Sequence, residues 1–190
     1  MNLEERVAYL EKEVRRLRAI DGIKDTIARY SWAVDTEDWA EFDAIYTDDI
    51  VIDRSWRNEY YTGKAVVLDF FKRHRQQVRF SNRMSNLNER ITVDGDKAKA
   101  VSYALVMYTY NNESYIGWGN YEWHLRFEND MWRIFRQITR INVMTTLKRG
   151  WGMDTDRVLT LPHLAPNVVL VSLIAVRIGM GNRLTSPYFT

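Results

Sequence analysis

Three side chains in the first third of the chain are of types that can move a proton. Tyr30, Asp35 and Arg54 stand at the ends of three predicted elements, so folding can bring them to one cavity. A phenol, a carboxylate and a guanidinium around an apolar pocket can carry out proton transfer without a cofactor. Each also has an ordinary structural alternative: Tyr30 in the core, Asp35 as a helix N-cap, and Arg54 on a strand surface.

The elements that position these residues follow from the spacing of apolar side chains. Apolar residues recur at helical spacing over residues 23–34, and that pattern ends at Asp35. A second short helical pattern covers residues 37–46, for which Asp35 is the predicted N-cap. The stretch Thr47-Asp48-Asp49 predicts a break, and Ile50-Val51-Ile52 predicts the start of a strand.

The composition is that of a globular protein with one domain. The chain has 190 residues, of which 46% are hydrophobic and 27% charged, and its formal net charge is +2. These values predict one domain with a substantial core, plus an extension. No basic stripe with interleaved aromatic residues occurs, so we predict no binding to nucleic acid. Aromatic residues make up 13% of the chain, which favours a cavity or an interface lined with rings.

Residue types and spacing exclude several cofactor and membrane classes. The chain has no cysteine, which excludes disulfides, thiolate catalysis and Cys-based metal sites. His74, His124 and His163 are far apart and form no metal-binding motif, so we predict no metal and no other cofactor. The charged N-terminus lacks the apolar segment of a secretory signal, and we predict a cytoplasmic protein. The apolar run at 168–175 is shorter than the roughly 20 residues that span a bilayer, so we predict no membrane attachment.

The N-terminal segment predicts an amphipathic helical arm. Leucine and valine alternate in a heptad pattern within residues 1–20, at positions 3, 7, 10, 14 and 17. The pattern is too short for a stable coiled coil on its own, so we expect the arm to pack on its own domain or on a neighbouring subunit. Asp21-Gly22 predicts a break, with Asp21 as the N-cap of the next helix.

A third helix and a series of strands follow. Residues 64–75 are predicted to be helical, with a buried face formed by Val66, Val67, Phe70 and Phe71. From residue 80 the apolar period changes to two, and turn sequences separate predicted strands at 80–93, 97–110, 115–127 and 131–144. Three helices followed by an antiparallel meander is an α+β layout. The sheet must curl around its helices, which leaves a cone-shaped α+β barrel with an open mouth for a ligand.

We therefore divide the chain into three parts. These are a helical arm at 1–20, an α+β barrel domain at 21–145 and a C-terminal extension at 146–190. Pro162 and Pro166 forbid a regular element around them, and the apolar run after them predicts a segment packed on the barrel or on a neighbouring subunit. Both faces of the predicted strands are apolar in places, so we expect helices on one face and a partner subunit on the other.

Three stretches of this sequence resemble the SnoaL-like branch of the nuclear transport factor two-like superfamily. They are the pattern IxxxxxRYxxAVDxxDWxxFxxIYxDDIxID, the hairpin NERITVDGDKAKA and the strand pair GNYEWHLRFENDMWRIFRQITRI. The resemblance covers about residues 21–145 and implies a cystatin-like α+β barrel. In organisation the chain is similar to the scytalone dehydratase and bile acid 7α-dehydratase members, and the resemblance suggests a homotrimer or homodimer. The fold also hosts isomerases, dehydrohalogenases, formaldehyde-eliminating lyases and non-catalytic subunits, so it does not fix the reaction.

The resemblance supports some candidate site residues and departs at others. Tyr30 and Asp35 match the tyrosine and aspartate of the dehydratases. Arg54 stands where they have a pocket tyrosine, Met84 where they have the catalytic histidine, and Val106 where the bile acid enzyme has an aspartate. A methionine cannot accept a proton, so a histidine-based elimination is not implied here. The candidate substrate-binding residues are Met84, Asn86, Tyr103, Tyr108 and Tyr110.

These observations predict a cofactor-independent lyase that acts on an apolar aromatic or polycyclic hydroxylated small molecule. Asp35 would be the base if apolar walls raise its pKa, and Arg54 would hold a developing oxyanion. The leaving group is water or formaldehyde, the latter from a lignin-type diaryl compound. Two alternatives remain: a ligand-binding protein without catalysis, and the structural small subunit of a ring-hydroxylating oxygenase.

Overall fold

The computed structural model describes residues 1–77, 83–110 and 112–150 of the chain. This part contains three α-helices, one 3₁₀ turn and six strands, and the predicted α+β class is confirmed. The helices are α1 (Leu3–Thr36), α2 (Trp39–Ile45) and α3 (Lys64–Gln77), and the 3₁₀ turn is Ser55–Arg57. The strands are β1 (Tyr46–Arg54), β2 (Glu59–Thr62), β3 (Arg83–Asp94), β4 (Lys97–Tyr110), β5 (Glu113–Glu128) and β6 (Met131–Thr146).

Some predictions fall on other parts of the chain. Residues 80–82 of the predicted strand at 80–93, Asn111 and the extension from residue 151 lie outside the described residues. The predicted division into parts at 1–20, 21–145 and 146–190 stays a prediction. Among the described residues, no helix combines the length and the apolar character that crossing a bilayer requires.

Helix α1 is continuous, and the predicted break at Asp21-Gly22 is wrong. It begins with a capping box in which the Asn2 side chain accepts from the Glu5 N–H and the Glu5 carboxylate accepts from the Asn2 N–H. A single glycine costs a helix only about 1 kcal/mol, which tertiary packing can offset. A Cβ added to Gly22 would lie 3.0 Å from Cδ1 of Trp132, so this glycine lets β6 approach the helix.

The connection between α1 and β1 also differs from the prediction. The N-cap of α2 is Asp38, whose side chain accepts from the backbone N–H of Glu41 at 3.0 Å, and not Asp35. The predicted break between helix and strand at residues 47–49 is wrong, because these residues belong to β1. The pairing of β1 with β6 shifts register there, between Tyr46 and Val51. Such a bulge gives room for unpaired polar residues within a strand.

The six strands form one sheet in the order β2-β1-β6-β5-β4-β3. The predicted meander is confirmed for β3 to β6, which pair with one another as antiparallel neighbours, while β1 joins β6 as a parallel strand. Register shifts at Trp118/Gly119 and His124/Leu125 bend the sheet. Gly119 is required at the first bend, because a Cβ there would overlap the carbonyl oxygen of Arg140.

The core lies between the second half of α1, α2, α3 and the concave face of the sheet. Its fully buried side chains are Ile23, Ile27, Tyr30, Phe42, Ile45, Tyr46, Ile50, Ile52, Trp123, Leu125, Ile134 and Gln137. Helix α3 contributes Val67, which is fully buried, whereas its neighbour Val66 is 49% exposed. The prediction that Val66 is buried is therefore wrong.

Candidate active site

Tyr30 lies at the centre of a buried polar network between α1 and the sheet. Its hydroxyl donates to the Tyr121 hydroxyl at 3.5 Å and accepts from the Gln137 side-chain amide at 3.2 Å. The oxygen of the same amide accepts from the Tyr46 hydroxyl at 2.8 Å. Burial raises the pKa of both Tyr30 and Tyr46 well above the ordinary value, so both phenols remain protonated.

Tyr121 carries the hydroxyl of this network that has the weakest acceptor. Because Tyr30 donates to it, the Tyr121 O–H is left to point at the sulfur of Met84, 3.7 Å away. A thioether is a weak acceptor, and a substrate oxygen would be a better one. Burial raises the pKa of Tyr121, while the hydrogen bond from Tyr30 and the positive charge of Arg54 partly oppose that rise. A raised pKa makes Tyr121 a weaker acid than a free phenol, so what favours it as a donor is the weak acceptor that its proton faces.

Asp35 lies in the last turn of α1 and faces β3. Its carboxylate accepts from the backbone N–H of Met84, at 3.0 Å from Oδ1 and 3.3 Å from Oδ2. Burial raises the pKa of Asp35, and the Met84 N–H together with the charges of Arg83 and Arg75 only partly opposes it. A carboxylate with a raised pKa is a stronger base than a solvated one.

Met84 separates the carboxylate from the phenol. Its backbone N–H contacts Asp35 and its side chain points inward to Tyr121. Val106 is its register partner on β4 and is buried, whereas Met84 itself is partly buried. The two positions at which the resemblance implied a histidine and an aspartate are thus neighbours, and both carry side chains that cannot transfer protons.

Arg54 lies at the end of β1, beside this network but not hydrogen-bonded to it. Its guanidinium forms an ion pair with Glu59 at 3.0 Å and lies 5.2 Å from the ring centroid of Phe70 and 5.7 Å from that of Trp56. The side chain is only 14% exposed, so Arg54 is not a surface strand residue. It acts on Tyr121 through its charge.

Asn86 holds α1 to the sheet. Its amide nitrogen donates to Ser31 of α1 at 2.8 Å, and its amide oxygen accepts from Ser102 of β4 at 3.1 Å. The Ser102 hydroxyl in turn accepts from the indole N–H of Trp123 at 3.0 Å. Because the nitrogen and the oxygen of the Asn86 amide both take part in these contacts, this side chain positions α1 against β3 and β4.

The three predicted tyrosines of β4 do not share one face of the sheet. Tyr103 is 61% exposed and lies on the face opposite Ser102 and Ala104, so the structure does not bring it to the Tyr30–Asp35 side. Tyr108 shares the inner face and stacks on Tyr115 with ring centroids 5.1 Å apart. Burial raises the pKa of Tyr108, and Tyr110 lies two residues further along the same face.

The residues of this network that the sequence analysis does not single out are Tyr121 and Gln137. Tyr121 lies in a predicted strand between Gly119 and Trp123, and Gln137 is one polar residue in a predicted strand that also carries three arginines. The sequence places Tyr121 on the same strand face as Trp123, and Gln137 on the same face as Thr139. The pairing of β5 with β6, which brings Tyr121 and Gln137 into one network, cannot be read from that alternation. No group of three or more potential metal ligands occurs within residues 1–77, 83–110 and 112–150.

A comparison with protein families identifies the family of the chain. A family model described as a SnoaL-like domain matches residues 15–137. This chain belongs to the SnoaL-like family. The match begins within the arm and includes the end of α1, with Tyr30 and Asp35, and the strands up to Gln137. It confirms the family that the sequence motifs indicate.

Solved structures show the same fold for this SnoaL-like chain. A hexachlorocyclohexane dehydrochlorinase, LinA type 2, is 19% identical with a TM-score of 0.66, over 71% of this chain and 93% of that one. A Novosphingobium aromaticivorans protein, provisionally named a scytalone dehydratase, is 21% identical with a TM-score of 0.62, over 72% and 90%. A nuclear transport factor two-like protein with a cystatin-like fold, from the same organism, is 20% identical with a TM-score of 0.64, over 70% and 88%.

Proposed function

We propose that this SnoaL-like protein is a cofactor-independent lyase that uses Asp35 as its base and Tyr121 as its acid. The observation that carries the proposal is that the two groups contact opposite ends of one residue, Met84. One is a carboxylate whose pKa burial raises, and the other is a phenol whose proton has only a weak acceptor. A base and an acid so placed suit an elimination.

The elimination of water balances with these two groups. Asp35 takes the proton from a carbon next to the hydroxyl-bearing carbon of the substrate. The freed electron pair forms the carbon–carbon double bond, and the carbon–oxygen bond breaks. The leaving oxygen takes the Tyr121 proton and departs as water. Return of the proton from Asp35 to Tyr121 through solvent restores the site, and the hydrogen bond from Tyr30 stabilises the transient phenolate.

Loss of formaldehyde uses the same groups on a hydroxymethyl-bearing substrate. Asp35 takes the hydroxyl proton, the carbon–oxygen double bond of formaldehyde forms, and the carbon–carbon bond breaks. Its electron pair forms a new double bond and expels an adjacent oxygen substituent, which takes the Tyr121 proton. The charge of Arg54 would favour the anionic character that develops near Tyr121.

The substrate class is an apolar aromatic or polycyclic alcohol. The concave face near the two groups is built from rings and small apolar side chains, including Phe70, Phe71, Ala104 and Val106. Neighbours of the same fold bear the names of a dehydrochlorinase and a dehydratase, which are both elimination enzymes, and this supports the reaction class.

The test is to incubate the purified full chain, without added cofactor, with a panel of diaryl and polycyclic alcohols. Mass spectrometry should show loss of water or of formaldehyde from at least one compound. Asp35→Asn should abolish that loss, whereas Asp69→Asn, which changes an exposed aspartate on α3, should not. Unaltered turnover in Asp35→Asn would overturn the assignment of the base.

Met84 favours one second candidate, a ligand-binding protein without catalysis. A site that holds a thioether between the carboxylate and the phenol has lost the imidazole that the resemblance implies. This candidate predicts that a panel compound binds with protection against thermal unfolding and is recovered unchanged. Conversion of the same compound would exclude it.

A further inference from the structure

The N-terminal half of α1 exposes a continuous row of large apolar side chains. This row, which we call the arm stripe, consists of Leu3, Val7, Leu10, Val14 and Leu17, each between 44% and 75% exposed. An open groove runs along its centre. Five such residues in one row are more than the scattered apolar residues of an ordinary surface.

The arm stripe lies on the side of α1 that faces away from the protein core. An α-helix turns by about 100° per residue, so Ile23, thirteen residues after Leu10, is rotated from it by about 220°. Ile23, Ile27 and Tyr30 face the core and are fully buried. The stripe therefore cannot continue the contact that α1 makes with its own sheet.

The residue types along the stripe fit one kind of partner. In heptad terms Val7 and Val14 occupy a positions, and Leu3, Leu10 and Leu17 occupy d positions. A β-branched residue at a combined with leucine at d favours two parallel helices over three or four. The partner that matches this pattern is a second copy of the same helix.

The flanking charges fit the parallel arrangement. In a parallel, in-register pair, Arg6 at g faces Glu11 at e of the second copy, and Glu13 at g faces Arg18 at e. Both contacts are attractive. Either antiparallel alignment that superimposes the two stripes places Glu11 opposite a glutamate, namely Glu4 or Glu11 of the second copy. Its attractive contacts, Arg6 with Glu13 or Glu4 with Arg18, only offset this repulsion, whereas the parallel pair has attractive contacts alone.

The cations of this pattern are available. Within the described part of the chain, Arg6 and Arg18 form no ion pair, while Glu11 and Glu13 form exposed ones on their own helix, with Arg15 at 4.0 Å and with Arg16 at 3.0 Å. The helix is already formed and capped in the single chain, so association does not have to pay the cost of ordering it.

We propose that the arms of two copies of this chain form a parallel, in-register, two-stranded coiled coil through the arm stripe. The core-facing side of each helix is then on the outside of the pair, so each domain lies on the outer side of its own helix. The arm is thus an assembly surface that is separate from the Asp35 site.

The first test is a charge-reversal pair measured by sedimentation velocity on the full chain over a range of concentrations. Glu11→Arg places an arginine against Arg6 twice in each dimer and should weaken association by roughly fivefold or more. Arg6→Glu combined with Glu11→Arg reverses both partners and should restore the association. An unaffected or tighter association in Glu11→Arg would overturn the parallel register, because it is the result that an antiparallel pair gives.

The second test uses the absence of native cysteine. Leu17→Cys places one thiol at a d position, where the two copies meet in a parallel pair, and mild oxidation should give a disulfide-linked dimer. Arg16→Cys, one residue away and outside the stripe, is the matched control and should not cross-link at the same protein concentration. Thermal unfolding of each variant checks that the domain is intact.

Failure of Leu17→Cys to cross-link beyond its control would overturn the proposal. A chain that stays monomeric at every concentration would also overturn it. The chain could also self-associate without any effect of the charge reversal and without a cross-link at Leu17→Cys. That result would show a different interface, and the proposal would again be wrong.

Discussion

The backbone N–H of Met84 donates to both carboxylate oxygens of Asp35, at 3.0 Å and 3.3 Å. This contact fixes the carboxylate against β3 while the Met84 side chain points the other way, to Tyr121. A single inert residue therefore sets the separation between the proposed base and the proposed acid.

Asp35 should show its raised pKa in the stability of the protein. Because the pKa is higher in the folded than in the unfolded chain, ionising Asp35 costs stability, and this cost appears as the pH rises from the unfolded towards the folded pKa. Asp35→Asn keeps an acceptor for the Met84 N–H but cannot ionise. We expect the variant to gain stability in urea unfolding relative to the wild type as the pH rises above the ordinary aspartate pKa of about 3.9. A relative loss over that range would contradict the direction of the shift.

Tyr121 and Tyr30 should differ in their effects on turnover. Tyr121→Phe removes the proposed acid and should lower kcat at least tenfold, or about 1.4 kcal/mol. Tyr30→Phe removes the donor to Tyr121 and the acceptor of the Gln137 amide but not the proposed acid, so it should lower kcat less and should shift the alkaline limb of the pH–rate profile upward. Equal losses with an unchanged pH profile would show that Tyr30 acts only in packing.

Met84→His should restore an imidazole beside Asp35 and Tyr121. We expect a new titration in the pH–rate profile near the ordinary histidine pKa of about 6.5. Met84→Leu keeps the apolar volume without the sulfur and serves as the control, in which no such step should occur. If the histidine variant has the same pH profile as the leucine variant, the side chain at position 84 does not reach the reacting atoms.

Asp49 should stabilise the folded protein at neutral pH, and this contribution should be lost in acid. It accepts from Arg126 at 2.8 Å and 2.9 Å, and this contact lowers the pKa of Asp49 to about 2. Because the pKa of Asp49 is lower in the folded than in the unfolded chain, its ionised form stabilises the folded state above the unfolded-state pKa. This stability is lost as the pH falls towards the folded-state pKa. Because the pair is largely exposed, Asp49→Asn should cost only about 0.2–1 kcal/mol at pH 7. The two proteins should unfold at equal urea concentrations near the lower pKa.

Gln137 should be essential for the buried network. Gln137→Leu leaves the hydroxyl of Tyr46 without its acceptor and that of Tyr30 without its donor, and we expect a loss of about 2–4 kcal/mol in the free energy of unfolding. Combining it with Tyr46→Phe removes one of the orphaned groups. The double variant should therefore lose less than the sum of the two single variants, which a double-mutant cycle measures. Strict additivity would mean that the two side chains do not interact.

Much of the fold could be predicted because apolar periodicity marks each element. The period of two from β3 to β6 and the turn residues between the strands located four strands to within a few residues. The break at Asp21-Gly22 was wrong because the packing of Gly22 against Trp132 lies more than a hundred residues away along the chain. Local signals alone carry no information about such a contact.

The candidate site could be predicted only in part. Tyr30 and Asp35 were found because helix periodicity places both near the end of α1, and Arg54 because it ends a strand. Tyr103 was misplaced because a choice between two strand faces requires knowing which face the helices cover. Tyr121 and Gln137 were missed because their roles depend on strand pairing.

The unbroken course of α1 has a mechanical consequence. A helix of 34 residues is about 50 Å long and behaves as one stiff rod, with the arm at one end and Asp35 at the other. The arm stripe and Asp35 are therefore held on one axis, with about 37 Å of helix between Leu10 and Asp35.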